Sequence, residues 1–224
     1  MHKHEQADRP VMELPKEGIA DRGGWRWVTD RGLRLQTGRH TLARYQLLVS
    51  MNFREVESII PADGSILLVL RSGVGASADL RAALEMPLDP SCKSPNRLHR
   101  IVVSYGGKAG PDLPALAERA GLSQQDWIAR QAGAEYCVAF LGFQPGFPYL
   151  AGLPETLRAP RRAEPRVRVP AGSLAIGGFY AGIYPSSGPG GWQIVGVTEV
   201  VLFDARQSSP ALFAPGDRVR FEAR

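Results

Sequence analysis

Beyond Pro165 the chain is written in short apolar stretches divided by glycine and proline. VRVPAGSLAIGG, FYAGIYP, GWQIVGVTEVVLFD and DRVRFEA follow one another at close spacing, and all are β-like. Several short strands set this close argue for a closed or nearly closed β-barrel. The last stretch follows a PGD turn and alternates, which puts Val219 and Phe221 on one face.

Upstream, RIVVSYGG (100–107) reads as a strand ending in a turn. Asp112 is placed to cap a short helix over LPALAERA, stopped by Gly121. Ser123 caps a second helix, QQDWIARQAG, with Asp126 completing a weak capping box. EYCVAFL (135–141) follows as a strand, and the two helices should sit against the barrel. From Trp25 to about Arg71 come the apolar runs LRLQ, ARYQLLVSM and EVESIIPADGSILLVL, the last folding back at PADG. SADLRAALEM (77–86) has helical spacing with Ser77 as its cap. The expected layout is a flexible tail over 1–24, a small α+β domain with its linker over 25–97, and a barrel domain over 98–224. PLDPSCKSPNR (87–97) is the linker.

Composition narrows the function classes. At 224 residues, 44% hydrophobic and 22% charged, the chain suits a soluble globular protein. No window supplies the roughly 20 apolar residues of a membrane span. The polar start MHKHEQADRPVMELPKEG lacks a signal-peptide centre, so a cytoplasmic location is expected. Two cysteines, Cys92 and Cys137, are too few for a four-ligand zinc site, and Cys137 alternates within a strand as a buried free thiol would. His2 and His4 on a loose tail make a poor metal site, so no metal is expected. The net charge of +5 raises nucleic acid as a partner, but the only arginine cluster, RAPRRAEPRVR, is broken by prolines and has no interleaved aromatics. It reads as a solvated or anion-binding loop.

No G-x-x-x-x-G-K-[ST] loop, G-x-G-x-x-G turn or G-x-S-x-G elbow occurs. Residues 100–224 contain no histidine, so a Ser-His or Cys-His pair in the barrel would need His40 or His99 to reach in. What the sequence does offer is a binding surface. FLGFQPGFPYLAGLP (140–154) packs rings, prolines and glycines into one uncharged run. With VPAGS (169–173) and YPSSGPGGWQ (184–193), it makes three stiff turns whose glycine backbones can approach a ligand closely. Phe143, Gln144, Pro145, Gly146, Phe147 and Tyr149 come from the first turn. Pro170 and Ser173 come from the second, and Tyr184, Gly191, Trp192 and Gln193 from the third. Rings with polar tips suit a small polar molecule in an apolar pocket, with the turns gathered at one mouth of the barrel. The alternative is that the turns merely close strands and the rings plug the barrel's ends.

Three segments resemble the allophanate hydrolase subunit 1 family, also known as the 5-oxoprolinase B-type or KipI type. They are YGGKAGPDLPALAERAGLS (105–123), the run from EYCVAFLGFQPGFPYL to VPAGSLAIGG (135–178), and AGIYPSSGPGGWQIVGVT (181–198). The resemblance covers most of residues 98–206, and the N-terminal unit joins it more loosely. It implies a ferredoxin-like N-terminal domain and a cyclophilin-like barrel. It also implies partners: a carboxyltransferase-like subunit 2, the C-type chain of 5-oxoprolinase, that shares one site, and in addition its A-type chain. The implied activity is ATP-dependent ring opening of 5-oxoproline, a small polar amide, with ATP held partly or wholly by the partners. Relatives that process urea or allophanate, and one that inhibits a histidine kinase, keep other substrates and a regulatory role open. No nucleic acid or membrane is implied. Arg161, Arg162 and Arg166 are candidates to grip a carboxylate or phosphate. Where family members carry a histidine before the barrel strand, QAGAEY has Gln131, which cannot take up a proton near neutral pH.

Overall fold

The structure, a computed structural model, describes residues 24–87 and 97–224. The expected tail, with His2 and His4, and most of the expected linker, with Cys92, lie outside the described residues. Among the described residues no helix is long and apolar enough to cross a membrane.

The first unit is an antiparallel sheet carrying two helices. Strands β1 (Trp25–Trp27), β2 (Gly32–Gln36), β3 (Val56–Ala62) and β4 (Ser65–Leu70) lie in the order β1-β2-β4-β3. Pro61 is tolerated in β3 because β3 is an edge. The PADG turn closes the β3–β4 hairpin, with Gly64 in the left-handed region at φ 69°. The ARYQLLVSM run, read above only as apolar, belongs to helix α1 (Thr41–Met51). Helix α2 (Ala78–Glu85) begins where expected, and Ser77 Oγ accepts from the Leu80 amide at 3.1 Å. Leu33, Leu35 and Leu68 from the sheet pack with Leu48 of α1 and Leu80 and Leu84 of α2.

The second unit is the closed barrel. Its strands are β5 (Leu98–Tyr105), β6 (Glu135–Leu141), β7 (Pro148–Ala151), β9 (Ser173–Gly177), β10 (Tyr180–Ile183), β12 (Gln193–Val197) and β13 (Arg218–Ala223). Seven strands close in the order β10-β7-β6-β13-β5-β12-β9, and β9 pairs back onto β10. Only β5 and β13 run parallel, because helices α3 (Leu113–Arg119) and α4 (Gln124–Gly133) intervene early in a long crossover. Strand alternation sends Val103, Val138, Leu150, Leu174, Ile183 and Val195 into the barrel interior. A separate two-stranded ribbon, β8 (Arg166–Val169) with β11 (Gly188–Gly190), completes the unit.

Three expectations need correction. TEVVLFD does not continue β12, which ends at Val197. The Val200 amide donates to Thr198 Oγ1 at 3.3 Å, which bends the chain, and Leu202 and Phe213 then join the barrel core. The GPG of YPSSGPGGWQ, expected as turn, is the strand β11. Asp112 precedes α3 as expected, yet its side chain makes no cap. Cys137 faces outward from β6 and is half-buried, and burial pushes its thiol pKa up. The two units touch where β3 and α1 meet β6, and Tyr180 Oη donates to Asp63 Oδ1 at 3.0 Å.

A candidate binding cleft on the barrel wall

The aromatic residues are neither at a barrel mouth nor plugging an end. In β9, Leu174 and Ile176 point inward, which leaves Ala175 and Gly177 on the outer face. In β12, Val195 points in and Ile194 points out. Phe147, Val169, Tyr184 and Trp192 join Ala175 and Ile194 in a second apolar layer outside the wall. Small residues make room for this layer. A Cβ at Gly177 would lie 2.4 Å from Trp192 Cδ2, and one at Gly182 would lie 2.8 Å from Phe147 Cζ.

Above this layer lies a cleft of about 280 Å³. Phe147, Tyr149, Tyr184 and Trp192 form its apolar wall, packed largely edge to face, with Phe147 5.4 Å and Tyr149 5.5 Å from Trp192 between ring centroids. Pro165, Pro189, Gly190 and Gly191 complete the lining. Phe143 stands 59% exposed at the rim, at a backbone φ of 66° that a bulky residue seldom adopts. Gly142 N donates to Phe147 O at 3.1 Å and Phe147 N to Gln144 O at 3.0 Å, and these bonds hold that conformation.

Two guanidinium groups reach the cleft. Arg161 lies over the Trp192 ring at 5.8 Å and has no carboxylate partner among the described residues. Arg162 Nη1 donates to Asp112 Oδ1 at 3.3 Å. Burial, ahead of every other influence, raises the pKa of the Tyr184 hydroxyl. Tyr180, one ring further out, is pushed up to about 12 by burial and then by its bond to Asp63. Both phenols are therefore protonated at neutral pH. The lining contains no carboxylate, histidine, cysteine or lysine. Such a surface can grip an anion and a flat polar body, but it has no base or nucleophile with which to attack an amide.

The cleft thus brings together Phe143, Phe147, Tyr149, Arg161, Arg162, Tyr184, Gly191 and Trp192 of the expected site residues. The others have structural surroundings. Gln144 Oε1 accepts from Ser186 Oγ at 3.3 Å, Pro145 is exposed, and Gly146 packs against Leu202 and Phe203. Pro170 is exposed on a separate turn, Ser173 is buried in β9, and Gln193 Nε2 donates to Pro160 O at 3.1 Å. Arg166 lies behind the wall, 2.7 Å from Asp112. Gln131 is fully buried on α4, where its amide oxygen accepts from Tyr105 Oη and its carbonyl from Tyr136 Oη at 3.1 Å. It lines no part of the cleft, because the inner face of α4 points it into the barrel core. Neither His40 nor His99 reaches the cleft, and His99 is instead paired with Asp217 at 3.0 Å.

Residues 23–213 match the family profile of the carboxyltransferase domain, subdomain C and D. The chain belongs to that family. Over 178 residues it is 46% identical to the protein of Escherichia coli O157:H7 named as the B subunit of 5-oxoprolinase, covering 79% of this chain and 81% of that one. Among solved structures, TTHA0988 superposes with a TM-score of 0.74 at 36% identity, over 87% of this chain. This chain spans only 40% of that longer one. The urea carboxylase of Kluyveromyces lactis shares the fold, with a TM-score of 0.65 at 17% identity over 89% of this chain and 21% of its own.

This member of the carboxyltransferase-domain family has two features that local sequence reading misses. Gly177 is one, since its role depends on a ring fifteen residues away. Asp112 is the other. It lies where a cap is expected, but its partners are 50, 54 and 82 residues distant.

Proposed function

We propose that this chain is one component of a heteromeric ATP-dependent amide hydrolase that opens 5-oxoproline to glutamate, and that its cleft is one part of a pocket shared with a carboxyltransferase-like chain of the C type. The observation that carries this reading is the lining itself, apolar rings and guanidinium groups with no group able to attack a carbonyl. A lactam is stabilised by resonance, so its opening at neutral pH requires activation and a positioned water. The cleft supplies orientation: flat rings for the amide plane and arginine for a carboxylate.

Two properties of the cleft favour placing ATP elsewhere. Its volume of about 280 Å³ lies just below the roughly 300–1,000 Å³ common for ligand pockets, and its bordering glycines, Gly190 and Gly191, belong to no G-x-x-x-x-G-K-[ST] loop. We therefore assign nucleotide binding to the partner chains. In this reading the chain divides into a ferredoxin-like unit over 25–97 and a cyclophilin-like barrel over 98–224, both cytoplasmic.

The test is reconstitution. The purified chain alone should release no glutamate from 5-oxoproline, whereas the chain co-expressed with partners of the A and C types should do so only with ATP. Full activity from the chain alone would refute the reading. So would an assembled complex that turns over urea or allophanate but not 5-oxoproline.

A further inference from the structure

We infer that Asp112 is the positioning residue of the cleft, a single buried carboxylate whose charge fixes the Trp192 wall and the Arg162 guanidinium in place. The inference rests on the reading of the cleft as the ligand site. Asp112 is 9% exposed. Its backbone amide donates to Ile194 O at 3.0 Å, and its Oδ2 accepts from Ile194 N at 2.6 Å. These two bonds bracket the residue two places beyond Trp192. Oδ1 accepts from Arg166 Nη2 at 2.7 Å and from Arg162 Nη1 at 3.3 Å. Both arginines pass the constraint onward. Arg166 Nη1 donates to Trp192 O at 3.5 Å, and the Arg162 amide donates to Gly191 O at 2.7 Å. One carboxylate therefore joins the start of α3, the start of β12, the ribbon strand β8 and the loop that carries Arg161.

The chemistry requires a charged oxygen on each side. An asparagine offers one acceptor oxygen and one NH2 group with two N–H donors. In either orientation it would turn N–H groups toward N–H groups, against Ile194 or against the two guanidinium groups. It would also leave two partly buried cations without their anion, where the screening available to exposed pairs is reduced. Loss of a helix cap would have no such reach.

The experiment uses the full chain labelled with 5-fluorotryptophan, in wild-type, Asp112→Asn and Arg166→Gln forms. Trp127, fully buried in the barrel, is the internal reference. The expected result is a shifted or broadened Trp192 fluorine line in both variants with the Trp127 line unmoved. In the reconstituted complex both variants should raise KM for 5-oxoproline by about tenfold or more, equivalent to about 1.4 kcal/mol, with kcat changed far less. Arg166→Gln keeps both Ile194 bonds, so it carries the test if Asp112→Asn does not fold. An unmoved Trp192 line in the folded variants, or an unchanged KM in an active complex, would overturn the inference. A wild-type complex inert toward 5-oxoproline would count against the proposed function, and the fluorine spectra would still decide the role of Asp112.

Discussion

Replacement of Gly177 by alanine is expected to weaken ligand binding by about a hundredfold (~2.8 kcal/mol) while leaving the barrel closed. Gly177 ends β9 on the outer face, and Trp192 lies flat against it. The added methyl would sit 2.4 Å from Cδ2 and Cε2 of the indole and 2.7 Å from Nε1. Contacts under about 3 Å are not tolerated, so the ring must lift. Its escape is obstructed by Phe147 and Tyr149, 5.4 and 5.5 Å away between centroids, and its carbonyl is tied to Arg166. The open side of the ring is the cleft, so the expected displacement is into it. Overpacking of this kind costs about 1–3 kcal/mol, which for a chain of this size lowers Tm by about 2–12 °C. The loss of affinity should reach the upper end of that range, about a hundredfold (~2.8 kcal/mol), because the occupied volume is the ligand's own. Calorimetry and KM measured on the reconstituted complex give the two numbers. Gly75→Ala is the control, since nothing lies within 4 Å of its added methyl. A Gly177→Ala complex with unchanged KM would show that the indole face is not part of the binding site.

The second large effect belongs to Arg161. Its side chain is exposed, stacked over Trp192 and without a carboxylate partner among the described residues. Arg161→Ala should therefore leave stability within about 0.5 kcal/mol of wild type. A charge-assisted hydrogen bond to a ligand carboxylate contributes about 1.5–3 kcal/mol, so KM for 5-oxoproline should rise about ten- to a hundredfold. Arg161→Lys should recover only part of this, because an ammonium cannot grip a carboxylate with two parallel bonds. Equal affinity in wild type and Arg161→Ala would assign this guanidinium to the surface alone.

Much of this architecture is legible because its signals are local. Glycine and proline delimit β9, β10 and β12, while Ser77 and Ser123 cap helices through their own oxygens. The convergence of the turns that carry Phe147 and Trp192 is readable too, as an apolar segment too stiff for an ordinary loop. What cannot be read is phase. SLAIG is buried at all five positions of β9, so its alternation does not say which face is the barrel interior. Local reading consequently puts the rings at a mouth, whereas they lie on the outer wall under the β8–β11 ribbon. Helix α1 escapes notice because Val49 and Met51 stay exposed and blur its apolar stripe. Asp112 misleads for a different reason. A capping residue and a buried hub look alike until partners from Arg162, Arg166 and Ile194 arrive through the fold.

The central claim is that a small ligand is held against the outer wall of the barrel, on the face of Trp192. The most direct measurement is titration of 5-oxoproline into the reconstituted complex carrying 5-fluorotryptophan in this chain, with each line assigned by single Trp→Phe replacement. Trp192 should shift saturably, and Trp127, buried on α4, should not move. Saturable turnover with a stationary Trp192 line would place the ligand elsewhere and contradict the account.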